Sequence, residues 1–187
     1  MNLITYEDSS IAPHWIPNFV PQKINEKFPD YEDRIYEIFE NDFIVSQPTY
    51  HGLPVRARRY KEETDGKWSG FIHITSVEDS FSKERVVDID RCKRIRFPKA
   101  VIENYCDCDI CHYSVCEKPL VWTSLARNNR VRVQILIPSE QYIVILEPNE
   151  EKGYCLLVTA YKITYERRME TIMKYYYEAC KAGRALQ

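Results

Sequence analysis

A chain of 187 residues suits one domain with a full hydrophobic core and does not require a second. Its 26 basic and 28 acidic side chains leave a formal charge of −2, which excludes a general attraction to nucleic acid and confines any phosphate binding to a local patch. No run reaches the length of a membrane span, and Met1 does not lead a secretion signal. The seven cysteines therefore point to thiols or a metal in a cytoplasmic protein with no membrane partner, rather than to disulfides.

Residues 1–29 carry Pro13, Pro17, Pro21 and Pro29 among Trp15, Ile16, Phe19 and Val20. Four prolines forbid a long helix and the apolar groups forbid a solvated tail, so an extended segment packed on the domain is expected. The domain proper spans 30–187. Asp30 is a good N-cap, and Tyr31, Ile35, Ile38, Phe39 and Phe43 then fall at helical spacing. The Asp65-Gly66 pair signals a hairpin that would join the basic run Val55 to Tyr60 with a strand from Trp68 to Thr75. That pairing sets Arg56 and Arg58 beside His73, with His73 and Thr75 on one face and Ile72 and Ile74 on the other. A second basic run holds Arg91, Lys93, Arg94 and Arg96, and Pro98 suits the first turn of a short helix.

A cysteine-rich loop follows at 105–117. Cys106, Cys108, Cys111 and Cys116, with His112 as an alternate, supply enough soft ligands for a tetrahedral zinc. Four protein ligands would leave no open position, so the zinc would be structural. An insertion of reduced thiols is the competing reading. Cys92, Cys155 and Cys180 are isolated, and His14 and His51 lie in loop-like contexts without a partner motif.

From Trp122 to Ile163 four strand-like runs alternate with turn residues (Asn128 and Asn129, Pro138 and Ser139, Asn149 to Gly153), which predicts an antiparallel meander. Arg130, Arg132 and Gln134 fall on one face of their strand, and Thr159 and Tyr161 share a face of theirs. A last helix from Tyr165 buries Met169, Ile172, Met173 and Tyr176 and ends near Gly183. The whole reads as an α+β domain: an N-terminal helical segment, an antiparallel sheet and a C-terminal helix.

A polar sheet face with His, Arg, Thr and Tyr suits phosphate chemistry. A histidine carries protons near neutral pH, and arginine grips phosphate through a planar fork. Each residue also has a plain structural reading: His73 as a hydrogen-bonded core residue, Arg130 and Arg132 as a solvated strand face, Thr159 and Tyr161 as good strand formers, and Trp122 as core.

The order of His73, Arg132 and the final Thr159–Tyr161 strand resembles the barnase–EndoU–colicin–RelE superfamily of metal-independent ribonucleases, particularly versions borne by phages and prophages. Further blocks at 31–39, 52–56, 71–76, 91–98 and 156–161 carry the same resemblance. It implies a RelE-like fold and an endoribonuclease toxin or phage effector that cleaves mRNA, tRNA or rRNA without a catalytic metal in the bacterial host cytosol. His73, Arg132, Thr159 and Tyr161 would be catalytic. Arg130, Arg94, Arg96, Trp122, Arg56 and Arg58 would contact RNA, with Trp122 stacking on a base. An antitoxin or host protein would be a partner. The alternative is a protein on the same scaffold that binds RNA, or inhibits a host protein, without cutting.

Overall fold

The computed structural model describes residues 11–60, 66–126 and 129–186. Helix α1 (Phe28–Glu40) begins ahead of Asp30 because Pro29 occupies its first turn, where no amide bond is lost. Tyr31, Ile35 and Phe39 are its buried stripe. A π-helical turn (Asn41–Val45) then keeps Phe43 in the core. The next hairpin joins β1 (Thr49–Tyr50) and β2 (Leu53–Arg56) across His51 and Gly52, both at positive φ. The hairpin expected at Asp65-Gly66 does not form from the strands proposed for it, and Asp65 itself lies outside the described residues.

The run carrying His73 is not a strand. It forms helix α2 (Ser69–Thr75), with Phe71, Ile74 and Thr75 buried at helical spacing. Its start docks on the basic run: Ser69 N–H donates to the Tyr60 carbonyl (2.9 Å) and Gly70 N–H to the Arg58 carbonyl (3.0 Å). Only glycine fits at position 70, since a Cβ there would stand 2.8 Å from Ala57 Cβ and 2.9 Å from Arg58 N. At the other end the Thr75 hydroxyl donates to the Phe71 carbonyl (2.8 Å). Burying Phe71 and Ile74 contributes about 1.5–3 kcal/mol each, and this tertiary gain outweighs the strand preference of the β-branched residues.

A small hairpin of β3 (Ser76–Glu78) and β4 (Arg85–Val87) leads to the short helix α3 (Ile89–Cys92), capped by the Asp88 carboxylate. Helix α4 (Phe97–Asn104) carries Pro98 in its first turn, as its sequence suggests. The meander then forms as β5 (Leu120–Leu125), β6 (Val131–Ile137), β7 (Tyr142–Asn149) and β8 (Tyr154–Lys162), followed by α5 (Glu166–Lys181) and β9 (Ala185–Leu186). The seven-stranded sheet has the order β1-β2-β8-β7-β6-β5-β9, antiparallel except where β2 lies parallel to β8. Val133, Ile135, Val144 and Ala160 face the main core with α1, α2 and α4, while Trp122, Leu136 and Ile143 face α5. The α+β class with helices at both ends therefore holds.

β2 covers β8 only at Cys155 and Leu156. Beyond that point, α2 and α3 pack beside β8 instead of a strand. That edge, covered by helices, is where residues of α2 and α3 can meet those of β8.

Candidate active site and metal centre

His73 sits on α2, half-buried, at the end of the helix nearest β3. Two arginines close on the same point from outside the helix. Arg85 donates to the His73 carbonyl (3.4 Å), the Ser76 carbonyl (3.1 Å) and the Ser76 hydroxyl (2.9 Å). Arg91 donates to the same two carbonyls, at 3.3 Å and 2.9 Å. Carbonyls at a helix end carry negative partial charge, so they draw guanidinium groups to this place. Burial, and then the positive charges of Arg85, Arg58 and Arg91, hold the His73 imidazole below its ordinary pKa of 6.5. The ring is therefore neutral at neutral pH and able to accept a proton.

Arg91 also connects α3 to β8. Its guanidinium lies over the Tyr161 ring at 5.2 Å from the centroid, a cation–π contact. Tyr161 and Thr159 share a face, opposite Ile143 and Ile145 of β7, as alternation indicates. A register shift between Ile145 and Leu146 inserts Val158 as an extra residue just before them. Such bulges re-aim the side chains that follow. Arg58, Arg85 and Arg91 thus surround His73, and Arg91 links this cationic group to Tyr161, whose ring packs on the α5 side of the sheet with Trp122 and Ile143.

Arg132 is not part of it. Arg130 pairs with Glu147 at 2.8 Å, and Arg132 approaches the same carboxylate at 3.6 Å. Glu147 is in register with Leu156, so Tyr161 lies five residues farther along β8, about 16 Å at ~3.3 Å per residue. Arg132 lies on the face that alternation indicates, opposite Val133 and Ile135, but its position along the sheet removes it from His73. Trp122 is 1 % exposed and packs at 5.6 Å from the Tyr176 ring beneath α5, which makes it core and not a platform for a base.

The other arginines divide similarly. Arg94 is 4 % exposed, ion-paired with Asp90 and laid over Phe19 at 4.7 Å, so it packs the domain rather than lining a groove. Arg96 is exposed in a depression of 520 Å³ whose other walls include Glu37, Asp42 and Glu103. A second depression, of 610 Å³, holds Arg130 among Glu147, Glu150 and Glu151. Carboxylates on both rims oppose a phosphate chain. Arg56 is exposed and lies 5.1 Å from the Tyr154 ring centroid.

The cysteine loop brings together a different set from the one its spacing suggests. Ligand atoms of His14, Cys108, Cys111 and Cys116 all lie within 4.8 Å of one another and could hold a metal ion. Cys106 is exposed and outside this group, and His112 turns outward to Asp107 at 3.0 Å. The local reason is a tight turn: His112 N–H donates to the Cys108 carbonyl, and His112 and Tyr113 both adopt positive φ. This folds Cys111 and Cys116 back toward Cys108 and leaves His112 on the outside. Burial opposes ionisation of Cys108, but N–H groups of Cys111 and Ile110 outweigh it and bring the thiol down to about 7, whereas burial pushes Cys116 up to about 12.

Sequence reasoning missed His14, Arg85 and Arg91 as site residues. His14 is separated from Cys108 by 94 positions, with no motif to join them. Arg91 sat in plain view within a basic run, but only the packing of α3 on β8 distinguishes it from Arg94. No family model matches this sequence, and no curated protein or solved structure was found to be similar to it.

Proposed function

We propose that this protein is a metal-independent endoribonuclease, a toxin or effector of the phage-borne kind its sequence resembles. The observation that carries this reading is the half-buried, neutral His73 facing Arg58, Arg85 and Arg91, with Arg91 stacked on Tyr161. His73 takes the proton of a ribose 2′-hydroxyl. The 2′-oxygen then bonds to the adjacent phosphorus as the bond to the 5′-oxygen breaks, and the departing oxygen collects a proton from the Tyr161 hydroxyl. Arg91 and Arg85 stabilise the charge that builds on the phosphorane oxygens, with Thr159 beside Tyr161 as a shorter donor. Removing one such fixed donor typically costs about two orders of magnitude in rate. No metal enters these steps. A zinc at the His14 cluster is structural in this reading, because four protein ligands leave no position for substrate.

One observation favours a protein that binds RNA without cutting it, alone or while inhibiting a host partner: several donors of Arg85 and Arg91 already serve main-chain carbonyls. Incubation with total RNA without added divalent ions separates the two. The nuclease yields new 2′,3′-cyclic phosphate and 5′-hydroxyl ends, and the binder shifts RNA on a gel and leaves it intact. Among the described residues no helix is long and apolar enough to cross a membrane.

A further inference from the structure

We propose that His14, Cys108, Cys111 and Cys116 bind one Zn²⁺, and that this ion fastens the proline-rich segment at 11–20 to the domain. The spacing carries the assignment. A tetrahedral zinc with bonds of about 2.3 Å to sulfur and about 2.0 Å to nitrogen sets its ligand atoms roughly 3.5–3.8 Å apart. Cys111 Sγ stands 3.6 Å from Cys108 Sγ, and Cys108 Sγ 3.8 Å from His14 Nδ1, both in this range; Cys111 Sγ and Cys116 Sγ, at 3.2 Å, would part by a few tenths of an ångström around the ion. Three sulfurs and an imidazole suit zinc, whereas calcium and magnesium require oxygen ligands. A disulfide needs sulfurs at about 2.05 Å and would leave one thiol and the imidazole unused.

The polypeptide on both sides of His14 is held against the cysteine loop. Ile11 forms a parallel bridge with Cys116, and Glu117 N–H donates to the Ile11 carbonyl at 2.9 Å. Trp15 Nε1 donates to the Tyr113 hydroxyl at 2.9 Å. His14 is therefore placed between two anchors, which lowers the ordering cost of bringing a distant ligand to the ion. Beyond it, Phe19 stacks on Phe97 at 5.5 Å, and Val20 N–H donates to the Lys93 carbonyl at 2.8 Å. The ion ties down one end of a segment that has neither a helix nor a sheet of its own.

The test is metal content together with hydrogen exchange. Protein purified under reducing conditions should carry about one zinc per chain. Cys106→Ser and His112→Ala should keep it, while His14→Ala and Cys111→Ser should lose it. His14→Cys should regain it, with a Co²⁺-loaded spectrum showing stronger sulfur-to-metal bands, which keeps the test valid if His14→Ala misfolds. Stripping the zinc should speed exchange at the Ile16 and Val20 amides about tenfold or more and leave β6 and β7 unchanged. A reduced, folded protein that holds no zinc and takes up no Co²⁺ overturns the proposal. So does loss of zinc in Cys106→Ser with retention in His14→Ala, or unchanged exchange at Ile16 and Val20.

Discussion

Two pairs of arginines lie beside this sheet, and they meet different partners. Arg130 and Arg132 converge on one carboxylate, Glu147, at 2.8 Å and 3.6 Å, so a full negative charge is shared between them. Arg85 and Arg91 converge on the carbonyls of His73 and Ser76, which are dipoles and not full charges. Arg91 also has the Asp88 carboxylate at 3.6 Å, the same separation as Arg132 from Glu147. The difference shows that arginine placement on a polar face does not by itself mark a phosphate site. What the guanidinium meets there decides whether positive charge remains for a ligand.

The largest expected effect marks the Glu147 side as architecture. Trp122 lies under α5 next to the strand positions of Gln134 and Arg132. Trp122→Ala should cost about 3–5 kcal/mol of stability, read by denaturant unfolding. A small change in stability with a large loss of RNA affinity would instead make Trp122 a contact to bases. Next comes the direct comparison of the pairs. Arg91→Ala should slow RNA cleavage about 100-fold or more, and Arg132→Ala should change it by about twofold at most, in initial rates on labelled RNA. Equal losses in both would show that the two pairs do not differ in function.

A smaller effect is expected at Tyr161. Tyr161→Phe keeps the ring beneath Arg91 and deletes the hydroxyl, so the rate should fall by tens-fold or more, about 2 kcal/mol, with little change in RNA affinity. A rate that survives Phe but not Leu would assign Tyr161 to seating Arg91 only. The smallest effect concerns pH. Because the folded-state pKa of His73 lies below 6.5, the acid limb of the pH–rate profile should also fall below pH 6.5. Arg85→Gln should move that limb upward, changing relative activity at pH 6 by roughly threefold. The linked stability has the same sign. The unfolded chain takes up this proton first, so the contribution of His73 is complete above pH 6.5 and is lost as pH falls below it.

The meander was legible because alternation and turn residues agree from Val131 to Lys162, and even the register shift near Val158 leaves Thr159 and Tyr161 on one face. The His73 helix was not legible. Ile72 and Ile74 flank His73 with the period of a strand, while the contacts that decide the matter, Gly70 on Arg58 and Phe71 in the core, are tertiary. Arg132 failed for another reason. Alternation gives a face but not a place along the strand, and only the pairing of β7 with β6 and β8 shows Arg132 beside Glu147. The three clustered cysteines were visible in their spacing, but the imidazole beside them was not, because it arrives from the N-terminal segment.

In the proposed reaction everything depends on His73 as the carrier of the 2′-hydroxyl proton. The measurement that tests it is RNA cleavage by His73→Ala with and without added imidazole, alongside a check that the variant remains folded. A loss of about 100-fold or more is expected without imidazole, with partial recovery that follows the concentration of neutral imidazole. A folded His73→Ala protein that cleaves RNA at the wild-type rate would contradict that role.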